Sequence, residues 1–384
     1  MPSSKAVRGV LLGTVIGLAL AGLFIVWSGK DTYIKYESGH LGSYVNGKLL
    51  WFGDRDITSL KTSTENDKDE RKELETQRTT GETESDDQEP VSTEDLYKAY
   101  GHVNTIVFFI GYPRSRHSLL GSLLDAHPHM VVSDEKMAFT IWKRRSDSFI
   151  KSSIYKFYDI MFKASERSAA QGKRSRAFEG NVTNKSSRYG YLVPNQWQGR
   201  FDQYIEVIGD KAGASTAQAM LKDDAIDAVH LLEKAAAAKV KFIHVVRNPF
   251  DNIATMVIQH KTVKGRDGEH HKQIDAPEIL EDKIDSYFKW AKGSNIAREA
   301  LPGSVLDIPS IDVVLRPAEV LIKICKFLEI ICTEKYLHDC ADTVDSTPSI
   351  TRNYIKWTAK QKDTVYREMN RFSFLQGYSF DKTV

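Results

Sequence analysis

A short polar loop between two apolar segments holds the densest group of side chains that could bind an anion. Arg114 supplies a cation, and the hydroxyl groups of Ser115 and Ser118 can donate hydrogen bonds to phosphate oxygens. Leucines then recur at helical spacing, at positions 119, 120, 123 and 124. A helix beginning there would add free backbone N–H groups and partial positive charge. The segment therefore predicts a phosphate-binding loop.

The spacing of this loop is similar to the P-loop frame G-x-x-x-x-G-K-S/T. Gly111 and Ser118 fit the frame, but Arg116 and His117 stand where it requires Gly and Lys. A nucleotide triphosphatase with these residues would lose the Lys that bridges the phosphates. An ATPase, a GTPase or a P-loop kinase is therefore disfavoured.

A second basic motif follows the apolar run 240–246, which is typical of a buried strand. Arg247 stands at the end of this run, and Pro249 suits the first turn of a helix that would carry Thr255. Ligands of open α/β sheets bind at the carboxyl ends of the strands. Arg247 and Thr255 are therefore candidates for a second anion site.

Two further predicted strands end in groups that could take part in acid–base chemistry. The run Met130–Glu135 would bring Glu135, with Asp134 as its neighbour, to the same sheet edge. The run Glu206–Lys211 would place Lys211 in a charged turn there. His117 and His127 are further base candidates, although His127 fits the end of a helix better. Nothing in the sequence has metal-ligand spacing, so we expect no metal.

The loop and the helix after it resemble the 5′-phosphosulfate loop of Golgi-type sulfotransferases. In that family a Pro-Arg-Ser-Gly-Thr-Thr/Ser stretch opens a helix that ends in Leu-Asp-Ala-His-Pro. Here Pro113-Arg114-Ser115, Ser118-Leu119-Leu120 and Leu124-Asp125-Ala126-His127-Pro128 match, and Arg116-His117 replaces Gly-Thr. The resemblance implies that 3′-phosphoadenosine-5′-phosphosulfate (PAPS) is the sulfate donor, leaving as adenosine 3′,5′-bisphosphate.

The same resemblance assigns the candidate site residues. In the family a strand ends in Arg-Asn/Asp-Pro, and a hydroxyl residue eight positions after the Arg contacts the 3′-phosphate with it, as Arg247 and Thr255 would here. Arg352 would close over the nucleotide late in the chain. The expected cofactor-binding set is Arg114, Ser115, Arg116, His117, Ser118, Arg247, Thr255 and Arg352. Glu135 as the base and Lys211 beside the bridging oxygen are the expected catalytic residues.

The activity that the resemblance implies is transfer of a sulfuryl group to a hydroxyl of a secretory-pathway glycan or glycoprotein. Protein-tyrosine sulfotransferases carry a catalytic Glu at the distance of Glu135 from the loop Arg, so a tyrosine acceptor is the nearest alternative. The departure at Arg116-His117 motivates a third reading, in which an inactive sulfotransferase fold acts as a lumenal binding protein.

The elements that must position these residues are apolar strands alternating with helical stretches. This alternation predicts an α/β, P-loop-like domain over residues 101–384, with a central, mostly parallel sheet flanked by helices. Because the carboxyl ends of parallel strands meet at one edge of a sheet, the candidate residues would converge there.

The N-terminal region predicts a membrane anchor and a stem. Residues 10–27 carry no charge and would span ~27 Å as a helix, which favours a transmembrane signal anchor over residues 10–28. A cleaved signal peptide is the rival, but its apolar core is usually only ~7–15 residues. Lys5 and Arg8 keep the tail, residues 1–9, in the cytosol. We therefore expect a single-pass type II protein of the Golgi membrane, with a lumenal domain.

Charge distinguishes the stem, residues 29–100, from the domain. Residues 54–95 hold fifteen Asp and Glu against six Lys and Arg, so this stretch carries −9 and the rest of the chain +11. The stretch is too polar to bury a core, which predicts disorder. Elsewhere Lys and Arg are dispersed, with no concentrated basic face, so nucleic-acid binding is not expected.

The three cysteines, Cys325, Cys332 and Cys340, lack zinc-finger and CxxC spacing. In a lumenal domain, Cys332 and Cys340 could form a local disulfide and leave Cys325 buried. Three unpaired buried thiols are an equal alternative.

Overall fold

The structure is a computed structural model. It describes four strands between residues 24 and 52, and then residues 92–170, 191–263 and 273–382. The chain divides into two compact units, Met1–Gln88 and Glu89–Val384.

The described part of the first unit is a four-stranded antiparallel sheet in sequential order. Its strands are β1 (Phe24–Ser28), β2 (Thr32–Glu37), β3 (His40–Val45) and β4 (Lys48–Phe52). The strand β1 covers the end of the predicted anchor, where Phe, Ile, Val and Trp are residues with strong strand preference. The rest of the predicted anchor, and nearly all of the acidic stretch 54–95, lie outside the described residues. Across the parts that are described, no helix combines the length and the apolar character needed to cross a bilayer.

The second unit is built on a five-stranded parallel sheet, as the sequence predicts. Its spatial order is β6-β7-β5-β8-β9, and all four strand pairs are parallel. The strands are β5 (Thr105–Ile110), β6 (Met130–Ser133), β7 (Val207–Asp210), β8 (Lys239–Val246) and β9 (Val305–Pro309).

Helices connect the strands and cover both faces of the sheet. They are α1 (Thr93–Tyr100), α2 (His117–Leu124), α3 (Ala138–Ser152), α4 (Ile154–Ala170), α5 (Gly213–Met220), α6 (Ala225–Ala236), α7 (Pro249–Val263), α8 (Pro277–Ala300), α9 (Ser310–Leu315), α10 (Pro317–Leu328), α11 (Glu334–Asp342) and α12 (Ala359–Met369). Every strand of the sheet is followed by a helix that begins near its carboxyl end.

The central strand β5 shows why the sheet is covered on both faces. All six of its residues are buried. Ile106, Phe108 and Ile110 pack in one apolar cluster, and Val107 and Phe109 pack in another. Successive strand side chains point to opposite faces. An unbroken apolar run therefore requires a core on each side, which is the usual arrangement of parallel sheets.

The folded domain begins earlier than the predicted boundary at residue 101. Helix α1 starts after Ser92, whose hydroxyl oxygen accepts a hydrogen bond from the Asp95 amide at 3.1 Å. Leu96, Ala99 and Tyr100 are buried against the domain core. The acidic residues of the first turn mask this helix in the sequence, because they continue the composition of the stem.

The predicted pairing of Cys332 with Cys340 is wrong. The disulfide joins Cys325 to Cys332, whose Cα atoms are 6.1 Å apart, and Cys340 is a buried free thiol. Glu329 ends α10 in a left-handed conformation and turns the chain back, which brings Cys332 to the helix. The Cys340 sulfur faces the Leu123 carbonyl oxygen at 3.7 Å instead.

Candidate active site

The loop between β5 and α2 is shaped by residues with positive φ. Gly111 has φ +126°, and a Cβ there would lie 2.9 Å from the His244 ring. Arg114 and Arg116 adopt φ values of 69° and 74°. Each non-glycine residue in this region costs about 1–3 kcal/mol and persists only where its surroundings fix it. The Ser115 hydroxyl donates to the Tyr112 carbonyl at 3.1 Å, so it closes the loop from within and does not face the loop centre.

The first turn of α2 presents free N–H groups at the sheet edge. Arg116 is the N-cap residue, and among the described residues no side chain caps this helix. The helices α5 and α9 also begin at this edge, and their N-cap residues make no side-chain cap. Uncapped N-termini carry partial positive charge and unsatisfied donors, so this edge favours an anion.

Arg247 lies at the carboxyl end of β8 and contacts Thr255, as the sequence predicts. Its Nη1 donates to the Thr255 hydroxyl at 2.9 Å and to the Arg114 carbonyl at 2.9 Å. The first motif and the second are therefore in direct contact. Thr255 lies in the second turn of α7, and the long Arg247 side chain reaches it from the end of β8.

A late segment of the chain completes this group. Arg247 Nη2 donates to the Ser349 carbonyl at 2.9 Å and to the Thr351 hydroxyl at 3.3 Å. Arg352 Nη1 donates to Asp251 at 2.5 Å, and both side chains are buried. Arg352 is thus paired beside the cleft and does not line it. Arg352 therefore holds the segment around Ser349 and Thr351 against α7.

Arg116 and Arg247 line one cleft, together with Ser310, Ser349 and Tyr378. Arg116 Nη1 donates to the Ser310 hydroxyl at 3.0 Å. Burial lowers the pKa of Arg116, and burial together with repulsion from Arg116 lowers the pKa of Arg247 to about 10. A buried guanidinium group beside a half-buried one is costly alone, and a bound dianion would offset that cost.

Glu135 and Lys211 meet beside the phosphate loop. Lys211 Nζ lies 3.0 Å from Glu135 Oε1, 2.7 Å from Asp134 Oδ1 and 2.8 Å from the Ser118 hydroxyl. The Lys211 side chain passes Gly121 on its way to Ser118. A Cβ at position 121 would lie only 2.7 Å from the Cγ of Lys211. Gly121 is not among the residues predicted for the site, although a glycine inside a helical pattern is a sequence signal for such a close approach.

The carboxylate of Glu135 is ionised at neutral pH. The nearby His117 ring and the positive charge of Lys211 lower its pKa to about 2, against the opposite effect of partial burial. Burial lowers the pKa of His117 itself, so its ring is neutral at pH 7. His117 Nε2 lies 3.7 Å from Glu135 Oε1. The Glu135 side chain is 61% exposed, so an incoming hydroxyl can reach its carboxylate and donate a hydrogen bond to it.

His127 lies away from the candidate active site. Its Nε2 donates to the Ile331 carbonyl at 2.9 Å, and its Nδ1 accepts from the His129 amide at 3.1 Å. Both ring nitrogens are engaged just beyond the C-terminal end of α2, away from the edge that carries Glu135. Its role as a base is thereby excluded. Within the described ranges, no three His, Cys, Asp or Glu side chains are grouped to hold a metal.

A family model described as the sulfotransferase family matches residues 107–334, which is more than half of the 384-residue chain. The chain belongs to the sulfotransferase family. The matched range contains both basic motifs, Glu135 and Lys211. The enzyme is therefore a sulfotransferase, and Arg352 lies beyond the matched range.

Solved structures give a weaker likeness to this sulfotransferase. The sulfotransferase domain of the Synechococcus PCC 7002 olefin synthase is 17% identical, with 70% of this chain and 94% of that chain covered and a TM-score of 0.40. Mouse sulfotransferase SULT7A1 complexed with PAP is 13% identical, with 73% and 89% covered and a TM-score of 0.35. No curated protein matches the chain.

Replacing Glu135 by Gln tests its assignment as the base. The change keeps the size of the side chain and removes the proton acceptor, so the turnover number should fall at least a hundredfold while adenosine 3′,5′-bisphosphate still binds. Turnover is measured as label transferred from [³⁵S]PAPS. The matched control is Asp134→Asn, which removes the neighbouring carboxylate and should cost less than tenfold. Equal losses in the two variants would contradict the assignment.

Proposed function

We propose that this sulfotransferase uses PAPS to sulfate a hydroxyl of a secretory-pathway glycan. The observation that supports the proposal is the hydrogen bond from Arg247 to the Arg114 carbonyl, which joins the two candidate anion sites. The α2 N-terminus with Arg114 and Ser118 forms one site, and Arg247 with Thr255 forms the other, 2.9 Å from the Arg114 carbonyl. One site would hold the 5′-phosphosulfate and the other the 3′-phosphate. The donor set therefore fits a nucleotide phosphorylated at both positions, whereas ADP would leave Arg247 without an anion.

The chemistry assigned to the protein is positioning and charge stabilisation. PAPS would supply an activated sulfuryl group, and side chains of this protein would position it and stabilise the developing charge. Glu135 accepts the proton of the acceptor hydroxyl. Lys211 and the N–H groups of α2 face the region where negative charge develops, which lowers the barrier. Arg116 and Arg247 would hold the distal phosphate, which would restrict the orientation of the bound nucleotide relative to Glu135.

Two hydroxyl groups on the helices that follow the site loops favour a polyhydroxylated acceptor. The hydroxyls of Thr140 and Ser215 are 2.8 Å apart and join the first turns of α3 and α5. These helices follow the loops that carry Glu135 and Lys211. Hydroxyl pairs of this kind suit sugar oxygens better than an aromatic ring. A tyrosine acceptor is the second candidate, since the Glu135–Lys211 pair would serve a phenol equally well.

The proposed location is the Golgi lumen, behind a type II membrane anchor at residues 10–28. The Cys325–Cys332 disulfide supports this location, because disulfides persist in the secretory pathway and are rare in the cytosol. Two N-glycosylation sequons, at Asn181 and Asn184, agree with it and lie outside the described residues.

The acceptor class is tested by labelling. The full chain is incubated with [³⁵S]PAPS and secreted glycoproteins from cells grown without sulfation. We expect label that is released with the glycans by glycosidases. Label that survives in tyrosine sulfate after alkaline hydrolysis would replace the glycan proposal with the tyrosine alternative. Binding of adenosine 3′,5′-bisphosphate without any label would instead support an inactive binding protein.

The location is tested by expressing the full chain in animal cells. The protein should remain in the membrane pellet after carbonate extraction, and peptide N-glycosidase F should increase its mobility. Asn181→Gln with Asn184→Gln should abolish that shift, whereas Asn195→Gln, which lies outside any sequon, should not. An extractable and unglycosylated protein would contradict a lumenal, anchored enzyme.

A further inference from the structure

Asp210 is a buried carboxylate for which the sequence assigns no role. It is the last residue of β7, next to Lys211, and is 1% exposed. Its Oδ1 accepts hydrogen bonds from the Ser133 hydroxyl at 2.6 Å and the Lys136 amide at 2.8 Å. Its Oδ2 accepts from the Ala138 amide at 2.9 Å. Burial raises the pKa of Asp210, and these three donors oppose the rise.

All three donors belong to the loop that carries Glu135. The loop joins β6 to α3, and the amides of Lys136 and Ala138 flank its tightest turn. Glu135 has φ 55° and Met137 has φ 59°, both in the left-handed region. Each such residue costs about 1–3 kcal/mol unless its surroundings fix it. In this loop the Asp210 carboxylate supplies bonds to the amides on both sides of Met137.

We propose that Asp210 is a positioning residue that fixes the loop Ser133–Ala138 and thereby aims Glu135 at the acceptor hydroxyl. This inference rests on the proposed role of Glu135 as the base. Asp210 does not touch the reacting atoms. It acts through the Ser133 hydroxyl before Glu135 and through the amides of Lys136 and Ala138 after it. Lys211, the residue after Asp210, contacts the Glu135 carboxylate directly at 3.0 Å.

Asparagine cannot replace Asp210 in this role, although it has the same shape. If its amide oxygen takes the Oδ1 position, its NH₂ group faces the Ala138 N–H. If it is turned over, the NH₂ group faces the Lys136 N–H. In either orientation one buried main-chain donor meets another donor and loses its partner. The loop would then be released at one of its two main-chain attachments.

A second buried carboxylate offers a matched control. Asp125 is 0% exposed, and its Oδ1 accepts from the Val132 amide at 2.7 Å. It also accepts from the Ser165 hydroxyl and from the Gly199 amide. Asp125 therefore fixes the middle of β6, and its partners Val132, Ser165 and Gly199 all lie outside the loop that carries Glu135. Asp125→Asn disturbs a comparable buried network without releasing Glu135.

The experiment is a double-mutant cycle on the full-length protein. The rate of label transfer from saturating [³⁵S]PAPS to the secreted glycoprotein fraction is measured for Asp210→Asn, Glu135→Gln, their double variant and Asp125→Asn. Affinity for adenosine 3′,5′-bisphosphate is measured in parallel by calorimetry. Asp210→Asn should lower the rate ten- to hundredfold, because a displacement of about 1 Å can cost that much, while the affinity stays within about twofold. It should cause no further loss when Glu135 is already Gln.

The outcomes separate the inference from the proposed function. Additive losses in the double variant, or an affinity that falls with the rate, would show that Asp210 is merely structural. A Glu135→Gln variant with full activity would refute the proposed base. Crystal structures of the variants test the role of Asp210 independently of the role of Glu135. The contact between Glu135 and Lys211 should be lost in Asp210→Asn and kept in Asp125→Asn. A loop that does not move in Asp210→Asn would overturn the inference. If Asp210→Asn does not fold, Ser133→Ala replaces it in the same cycle, because it removes one of the three donors to Asp210. This variant should reduce the rate two- to fivefold. An unchanged rate would overturn the inference.

Discussion

The ammonium group of Lys211 joins three neighbouring strand–loop–helix units, and the candidate site depends on it. From β7 it reaches the Ser118 hydroxyl on α2 and the carboxylates of Asp134 and Glu135 after β6. Lys211 is 2% exposed, so its charge is shielded from water and must be balanced by these partners. One buried cation thereby sets the distance between the phosphate loop and the base. The glycine at position 121 makes this possible, because it leaves room for the Lys211 stem.

The second half of the site depends on a different buried pair. Asp251 accepts from Arg352 and from the amides of Thr351 and Arg352, which fixes the late segment over α7. That segment brings Thr351 and the Ser349 carbonyl to Arg247. Breaking a buried pair by removing one partner typically costs about 3–5 kcal/mol. The Asp251–Arg352 pair thus orders residues that are distant in the chain around a single guanidinium group.

Much of this arrangement could be predicted from the sequence, for reasons that are local. Apolar runs before Gly111 and Arg247 predict strands, and the leucines after Ser118 predict a helix, so their convergence at one edge follows from the geometry of parallel sheets. The joint role of Arg247 and Thr255 comes from the resemblance to the sulfotransferase family. The start of α1 could not be predicted, because its first turn shares the acidic composition of the stem. The pairing of Cys325 with Cys332 depends on a left-handed turn at Glu329, which the sequence does not specify.

The roles of Arg352, Ser115 and Asp210 could not be predicted because they are set by contacts across long sequence separations or by loop conformation. Arg352 is basic and late in the chain, which suggests a ligand, but its partner Asp251 is 101 residues away. Ser115 belongs to a phosphate-loop motif, yet its hydroxyl turns inward to the Tyr112 carbonyl because Arg114 adopts positive φ. Asp210 ends a strand as many surface carboxylates do, and only the fold shows that its oxygens bind the loop of Glu135.

The central claim is that two adjacent anion sites select a nucleotide with phosphates at both its 3′ and 5′ positions. The most direct measurement is calorimetric titration of the full-length protein with adenosine 3′,5′-bisphosphate and with ADP, repeated on Arg247→Met. The two-site account predicts tight binding of the bisphosphate and weak binding of ADP by the wild type, and loss of that preference in the variant. Equal affinity for the two nucleotides in the wild type would contradict it.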